Sequence, residues 1–400
     1  MNPLAVYVHI PFCTVKCGYC DFNAYAGMGA LAPAYEDALL AEITAWAPRL
    51  PGREVATVSF GGGTPGEFQA SGIAAVVRAV AAFGALAPGA ELSIESNPGS
   101  TTRGCLDELR SAGITRISFG AQSFDPGELR FLDRIHSPEA TVASVGLARE
   151  AAFQSVNIDL IYGLPGQSCA AWERSLRRAI ALDVDHISCY GLTVEEGTPL
   201  ARKVANGEVE PLDPDIAAGM YELACELLAA AGFIHYEISN WARPGHESRH
   251  NLVYWTDGEY LGIGAGAHGY LDGQRYENVP HPRDYISRAL GRPANGEAMP
   301  GTVLNAYRPD PRTAMFDWLE TAFRLVDGFD PRRFASRFGR SLEDAAGLPL
   351  SECRDGGLIE DGPGGFIRLT PRGWLLHSEV CARILAHLNQ VRPAVPSRDR

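Results

Sequence analysis

The chain has 400 residues, 46% of them hydrophobic, and a formal net charge of −13. That length and composition suggest two to three domains with sizeable cores. The acidic balance disfavours a nucleic-acid partner, because phosphate neutralisation needs a basic face, and no apolar run reaches the roughly 18 residues a membrane span requires. Residues 1–10 carry neither a basic n-region nor a small-residue cleavage site, so a mature cytoplasmic protein is expected. The nine cysteines are odd in number and only Cys13, Cys17 and Cys20 cluster. A disulfide framework is therefore not expected, and the scattered six read as ordinary small residues.

From residue 4 to about 193, short apolar runs alternate with longer amphipathic ones. Residues 5–10, 55–60, 92–95, 116–120, 156–162 and 186–190 read as strands: they are rich in Val and Ile and end at Gly, Pro or polar residues. Helices are expected between them at 33–46, 72–83, 102–112, 138–152 and 169–182. Six β/α units in a row imply a parallel sheet with helices outside it. The strand ends favour a barrel over an open sheet, since each carries chemistry-capable residues: the cysteine loop, Gly61 to Thr64, Glu95, Gln122 and Asp159. In a barrel such ends converge on one face. The expected fold is thus α/β, a partial (β/α)6 barrel over residues 1–193. A small α+β extension is assigned to 194–295, with a helix at 216–231, a strand at 233–239 and a Gly-rich stretch at 251–278. Residues 292–301 read as a linker. A C-terminal domain, 296–391, has helices at 312–325, 331–338 and 371–388 and a hairpin at 357–369, which together are winged-helix-like. Residues 392–400 read as a disordered tail.

The strongest local signal lies directly after the first strand. Cys13, Cys17 and Cys20 form a C-x3-C-x2-C loop. Iron–sulfur cubanes are held mainly by cysteine thiolates. Three thiolates on one tight loop can hold three irons of a [4Fe–4S] cluster and leave the fourth open to chelate the amino and carboxylate groups of S-adenosylmethionine (SAM). Zinc and a redox dithiol are the alternatives. Zinc prefers four protein ligands and paired C-x2-C knuckles, and His9 is poorly placed to be the fourth. A dithiol role needs an isolated C-x-x-C before a helix.

The loop, its place after strand one and the glycine run at 61–63 resemble the radical SAM superfamily. Within it, "YVHIPFC" from Tyr7, "SFGGGTP" from Ser59, "IESNP" from Ile94, "SFGAQSF" from Ser118, "IDLIYGLPGQ" from Ile158 and His250-Asn251 followed by Tyr254-Trp255 resemble the oxygen-independent coproporphyrinogen III oxidase family. The resemblance spans nearly the whole chain. It implies a [4Fe–4S] cluster on Cys13, Cys17 and Cys20. It also implies SAM contacts from Tyr7, Gly62, Gly63, Thr64, Glu95, Gln122, Arg134 and Asp159. Chemically, Glu95 or Asp159 can accept ribose hydroxyls or an ammonium, and the Arg134 guanidinium can fork onto a carboxylate. Gly62 and Gly63 let a backbone approach closely.

Two departures resemble the HemW-type branch, the heme chaperones. Phe22 stands where the oxidases carry a further cysteine, and the first strand starts at about residue 4, so the oxidases' N-terminal extension is not expected. That branch implies heme as a bound cofactor, delivery to membrane respiratory heme proteins with transient contact at the membrane surface, and no decarboxylase activity. Residues 250–255 are similar to its HNxxYW motif. The resemblance gives His250 as a heme contact and axial ligand, with Tyr254 and Trp255 as flat surfaces for a porphyrin face. Heme and SAM are expected in separate sites. The alternative function is that of the oxidases themselves, oxidative decarboxylation to protoporphyrinogen IX. A third is another radical SAM reaction on an unknown substrate.

Overall fold

The computed structural model describes residues 3–291 and 299–390. Six strands, β1 (Leu4–Ile10), β2 (Val55–Gly62), β3 (Leu86–Ser96), β4 (Arg116–Gln122), β5 (Ser155–Tyr162) and β6 (His186–Gly191), pair in parallel in sequence order. The helices that connect them are α1 (Ala32–Trp46), α2 (Ala70–Phe83), α3 (Arg103–Ser111), α4 (Pro126–Phe131), α5 (Pro138–Glu150) and α6 (Cys169–Ala181). Thr102, Asp125, Ser137 and Ser168 each accept a backbone N–H at the start of α3 to α6, which satisfies donors the helix itself leaves open.

The strands alternate, and the alternation decides the architecture. Val6, Val8, Ile10, Val58, Phe60, Ile94, Ile117, Phe119, Val156, Ile158, Leu160 and Ile187 are all buried. The intervening positions are Ser59 on β2, Ser93 and Glu95 on β3, Arg116, Ser118 and Gln122 on β4, Asn157 and Asp159 on β5, and His186 and Ser188 on β6. These polar residues line one cavity of about 410 Å3. Register keeps them in rows: Ser59 sits beside Ser93, Glu95 beside Ser118, and Asp159 beside Ser188. A barrel core filled with branched aliphatics is solid; one lined this way holds polar ligands or water.

After β6 come α7 (Pro199–Ala205), α8 (Pro214–Ala230), β7 (Ile234–Glu237), β8 (Asn240–Ala242) and α9 (Arg249–Trp255). β8 runs antiparallel to β6. On the other side, β9 (Tyr260–Ile263) lies parallel to β1, and β10 (His268–Leu271), β11 (Gln274–Asn278) and β12 (Val303–Tyr307) continue antiparallel, with α10 (Pro282–Leu290) before β12. The sheet order is β12-β11-β10-β9-β1-β2-β3-β4-β5-β6-β8-β7, linear and unclosed, as a partial barrel requires.

The chain divides into two compact units. The first takes Met1–His235, Ser239–Val253 and Gly258–Tyr307; the second takes Tyr236–Ile238, Tyr254–Asp257 and Arg308–Arg400. In the second, α11 (Pro311–Ala322), α12 (Pro331–Phe338), α13 (Leu342–Asp355), α14 (Pro371–Leu375) and α15 (His377–Gln390) surround a core that includes Trp318, Phe323, Phe334, Leu350, Val380 and Ile384. A short hairpin pairs β13 (Ile359–Asp361) with β14 (Ile367–Leu369).

Several expected elements differ. α13 lies outside the expected elements, and it contains Gly347 and Pro349. It tolerates them because it is already broken at Ala346 (φ −143°, ψ 18°). The single helix expected at 371–388 is two, parted at Leu376 (φ −111°, ψ 23°). β3 begins at Leu86 rather than 92; its register against β2 jumps from Leu86 to Glu91, and Pro88 and Gly89 (φ 71°) occupy that interruption. The Gly-rich stretch 251–278 contains three strands. Most of the expected linker, residues 292–298, and the tail from 391 lie outside the described residues.

The fully buried Phe334 ring packs edge-on to Trp318, centroids 5.5 Å apart. Phe334→Ala is expected to destabilise the second unit by about 3–5 kcal/mol, read by chemical denaturation.

Candidate functional site

The cysteine loop is closed at its base and tied at several points. Phe12 and Cys13 pair with Tyr25 and Ala26. Glu67 accepts both the N–H and the hydroxyl of Thr14, at 3.0 and 2.7 Å. Asp133 accepts the Gly18 N–H at 3.1 Å, and the Leu200 N–H donates to the Gly18 carbonyl. Asn23 donates to the carbonyls of Ala265 and Pro280. The carbonyl of Asn23 in turn accepts from His9 Nε2 at 2.9 Å. A carbonyl can only accept, so Nε2 carries the ring proton and Nδ1 accepts from the Tyr7 hydroxyl at 3.0 Å. Burial lowers the pKa of His9, consistent with that neutral ring.

The glycine turn after β2 is packed against this loop. A Cβ on Gly63 would meet the Phe12 carbonyl oxygen at 2.5 Å, and one on Gly62 (φ +113°) would meet the His9 ring at 2.5 Å. Gly63 and Thr64 donate their N–H groups to Ile10 and Phe12 carbonyls. The glycines thus admit the chain's own loop, a structural demand that the sequence reading attributed to a ligand alone. Thr64 is buried, and its hydroxyl donates to Cys13 Sγ at 3.5 Å; Arg134 Nη1 reaches Cys17 Sγ at 3.6 Å.

Cys13, Cys17, Cys20, Gly62, Gly63, Thr64, Glu95, Gln122, Arg134 and Asp159 all line the one cavity. Tyr7 stands behind it, with its pKa raised by burial and by the Glu95 charge. Glu95 faces the lumen and accepts the Gly62 N–H at 3.3 Å. Its accessible surface belongs to that lumen, yet protein surrounds it. Burial and the Asp159 carboxylate push its pKa up to about 7, against the Gly62 bond. Burial also raises the Asp159 pKa, opposed by Ser118, Ser188 and Asn157. Gln122 holds φ at +64°, rare for a residue with a side chain. Its buried Oε1 and the Arg134 Nε have no partner among the described residues.

The sequence reading missed the deeper lumen. Arg116 Nη1 donates to Ser155 and to the His246 carbonyl, both at 2.9 Å. His186 Nδ1 donates to Asn157 Oδ1, and Asn157 Nδ2 donates to Ser118 and Asp159. The alternate polar positions in β4 to β6 were the available signal.

His250 lies apart from the cluster loop but packs against the barrel strands. Glu91 accepts the N–H groups of Arg249 and His250, and Ser248 and Asn251 line the same cavity as Glu95. α9 therefore begins at the N-terminal ends of the strands. His250 is buried, its Nδ1 is 2.8 Å from Thr57 Oγ1, and its ring centroid is 6.4 Å from that of Tyr7. Burial lowers its pKa to about 3. Tyr254 and Trp255, in the second unit, are half-buried with ring centroids 6.3 Å apart, and the Arg324 guanidinium lies 4.4 Å from the Trp255 centroid.

Among the described residues no three His, Cys, Asp or Glu side chains converge on a single ion. A cubane instead takes each thiolate on its own iron, and three free cysteines with donors beside two of them fit it. Changing Cys13, Cys17 or Cys20 to Ser is expected to remove most bound iron and sulfide, whereas Cys105→Ser or Cys225→Ser leaves the content near that of the parent. The raised pKa of Glu95 also has a sign. Between its ordinary value of 4.5 and about 7, the folded chain binds more proton at this group than the unfolded chain. Stability from it is present at low pH and falls as pH rises through that window. Glu95→Gln should flatten this limb in denaturation curves taken across pH.

Residues 7–179 match the radical SAM superfamily model, and residues 310–376 match the HemN C-terminal domain. Superfamily membership implies a [4Fe–4S] cluster and SAM. The described fold superposes on the coproporphyrinogen III oxidase HemN from Escherichia coli with a TM-score of 0.82 at 25% identity, covering 96% of this chain and 91% of that one. Among curated relatives, the heme chaperone HemW of Mycobacterium tuberculosis is 47% identical over 72% of this chain and 75% of its own length. The HemW of Bacillus subtilis is 34% identical over 96% and 100%, and that of Escherichia coli 39% over 89% and 93%. With 34% and 39% identity sustained along 89% or more of both partners in the Bacillus subtilis and Escherichia coli comparisons, the chain belongs to the HemW family of radical SAM proteins.

Proposed function

We propose that this protein is a cytoplasmic heme chaperone that binds heme and hands it to respiratory heme proteins at the membrane surface. The observation that carries the reading is full-length similarity to proteins named heme chaperones, 34% identical over 100% of the Bacillus subtilis chain. Phe22 supports it. It stands exposed on the cysteine loop, where the oxidases' pattern has a further cysteine. Among the described residues no helix is long and apolar enough to cross a membrane.

In this reading Cys13, Cys17 and Cys20 hold the cluster. Thr64, Glu95, Gln122, Arg134 and Asp159 hold SAM within the lumen, with Tyr7, Gly62 and Gly63 shaping its wall. A bound cluster with SAM supplies one-electron chemistry. The protein's own residues supply position and charge: Glu95 and Asp159 accept hydroxyl or ammonium protons, and Arg134 meets a carboxylate. Heme contacts His250, Tyr254 and Trp255. The Thr57 bond is to Nδ1 of His250, so ligation through Nε2 is compatible with it. His250 is 3% exposed, so the α9 turn must shift to admit the iron. Coproporphyrinogen decarboxylation is not part of this function.

Heme titration of the anaerobically reconstituted chain tests the assignment. His250→Ala should change the Soret band and weaken binding while leaving iron–sulfur content and SAM binding intact. Thr57→Val, which removes the Nδ1 partner, should perturb the Soret band less than His250→Ala does. Tyr254→Ala or Trp255→Ala should cost about 1–3 kcal/mol of heme affinity, the scale of a buried aromatic side chain. An unchanged heme spectrum in the His250 variant would rule out ligation there. Turnover of coproporphyrinogen III with SAM consumption would replace the chaperone reading with the oxidase one.

A further inference from the structure

We infer that Asn97, the residue directly after β3, positions the two hydrogen-bond donors that reach the cluster thiolates and thereby sets the reduction potential of the cluster. The inference rests on the cluster reading above. Asn97 is joined on both sides. Its Nδ2 donates to Thr64 Oγ1 at 3.0 Å, and its Oδ1 accepts from Arg134 Nη2. Thr64 in turn donates to Cys13 Sγ at 3.5 Å, and Arg134 Nη1 to Cys17 Sγ at 3.6 Å, distances suited to a large sulfur acceptor. One amide thus spans two of the three ligating cysteines.

The chemistry fixes the direction of each bond. Arginine has donors only, so Asn97 must turn its oxygen to Arg134 and its amino group to Thr64. Thr64 then has a lone pair occupied by the amide, and its single hydroxyl proton is left for Cys13. Without Asn97 the hydroxyl is free to rotate away. Arg134 is held from a second side by the Gly120 carbonyl. A Cβ on Gly120 would lie 3.3 Å from Arg134 Nη2 and 2.8 Å from Gln122 Nε2, so the bare glycine makes the room that lets the guanidinium lie against Cys17. Thr64 is 2% exposed, which keeps water from replacing its bond. Donors to ligating sulfurs favour the more negative, reduced cluster, and so raise its potential. Asn97 acts through Thr64 and Arg134, so it is a positioning residue and not a ligand.

The test is a redox titration of the reconstituted full chain without SAM, followed by electron paramagnetic resonance. Asn97→Leu, Thr64→Val and the double variant are compared with the parent after iron and sulfide are counted. The expected result is a full cluster in each, and a fall in potential in both single variants. At a fixed poise the reduced-to-oxidised ratio drops about tenfold, or about 59 mV for one electron. The double variant should fall little further than Asn97→Leu alone. Asn97→Asp gives a second reading should the leucine variant lose its cluster. Its carboxylate keeps Arg134 but takes the Thr64 proton away from Cys13, so its potential should fall as well. Unchanged potentials in variants with full clusters would overturn the inference, as would shifts from Asn97→Leu and Thr64→Val that simply add. A parent chain that binds no iron would instead overturn the cluster reading on which the inference rests.

Discussion

Everything in the first unit follows from one constraint: six parallel strands that are apolar on the outer face and polar on the inner one. Val, Ile, Leu and Phe on the outer face are buried, and that burial supplies the favourable free energy, at roughly 25 cal/mol per Å2 of apolar surface removed from water. The inner face carries serines, an arginine, a histidine and carboxylates. Unpartnered, each such group would cost about 1–3 kcal/mol. They are instead bonded across neighbouring strands, as in the Ser118, Asn157, Asp159 and His186 set. The lumen therefore stays open and charged without unravelling the sheet, and both carboxylates that face it have raised pKa values.

The cysteine loop depends on segments remote in sequence. Asn23 binds carbonyls more than 240 positions away, on two segments that are themselves pinned. The fully buried Glu42 carboxylate on α1 accepts from the Gly264 N–H, Asn278, Tyr285 and Thr302. Burial pushes its pKa up, while these donors pull it down. A buried carboxylate is costly unless its lone pairs are satisfied, and here donors from four separate positions converge on it. The strands added beyond β1 are thus part of the support for the cluster loop. They are not an independent appendage.

The fold is shared with an oxidase, so the fold cannot choose between carrying a porphyrin and reacting on one. The choice rests on details at the loop and on whole-chain similarity. Phe22 puts an apolar ring at the rim of the cavity where the oxidases' pattern has a thiol. α9 brings Ser248 and Asn251 to the same lumen from the opposite end.

Local sequence determined much of this protein. The alternation of short apolar runs and amphipathic stretches located all six strands of the barrel, because a half-buried strand must repeat every two residues and its helix every 3.6. The C-x3-C-x2-C spacing located the cluster loop, because three ligands on one loop need no long-range contact to be recognised. Glu95, Gln122, Arg134 and Asp159 were legible as strand-end and loop residues of matching motifs, and they do line one cavity. The tertiary structure decided what depends on contacts between distant positions. α13 carries Gly347 and Pro349 past its break at Ala346 while Leu342, Leu350 and Cys353 enter the second unit's core. Gly62 and Gly63 proved to be needed by His9 and Phe12. His250, which follows the last barrel strand in sequence, is carried back to Thr57, 193 positions away, because α9 caps the strand beginnings through Glu91. No periodicity or spacing encodes such returns; they exist only once the chain has folded on itself.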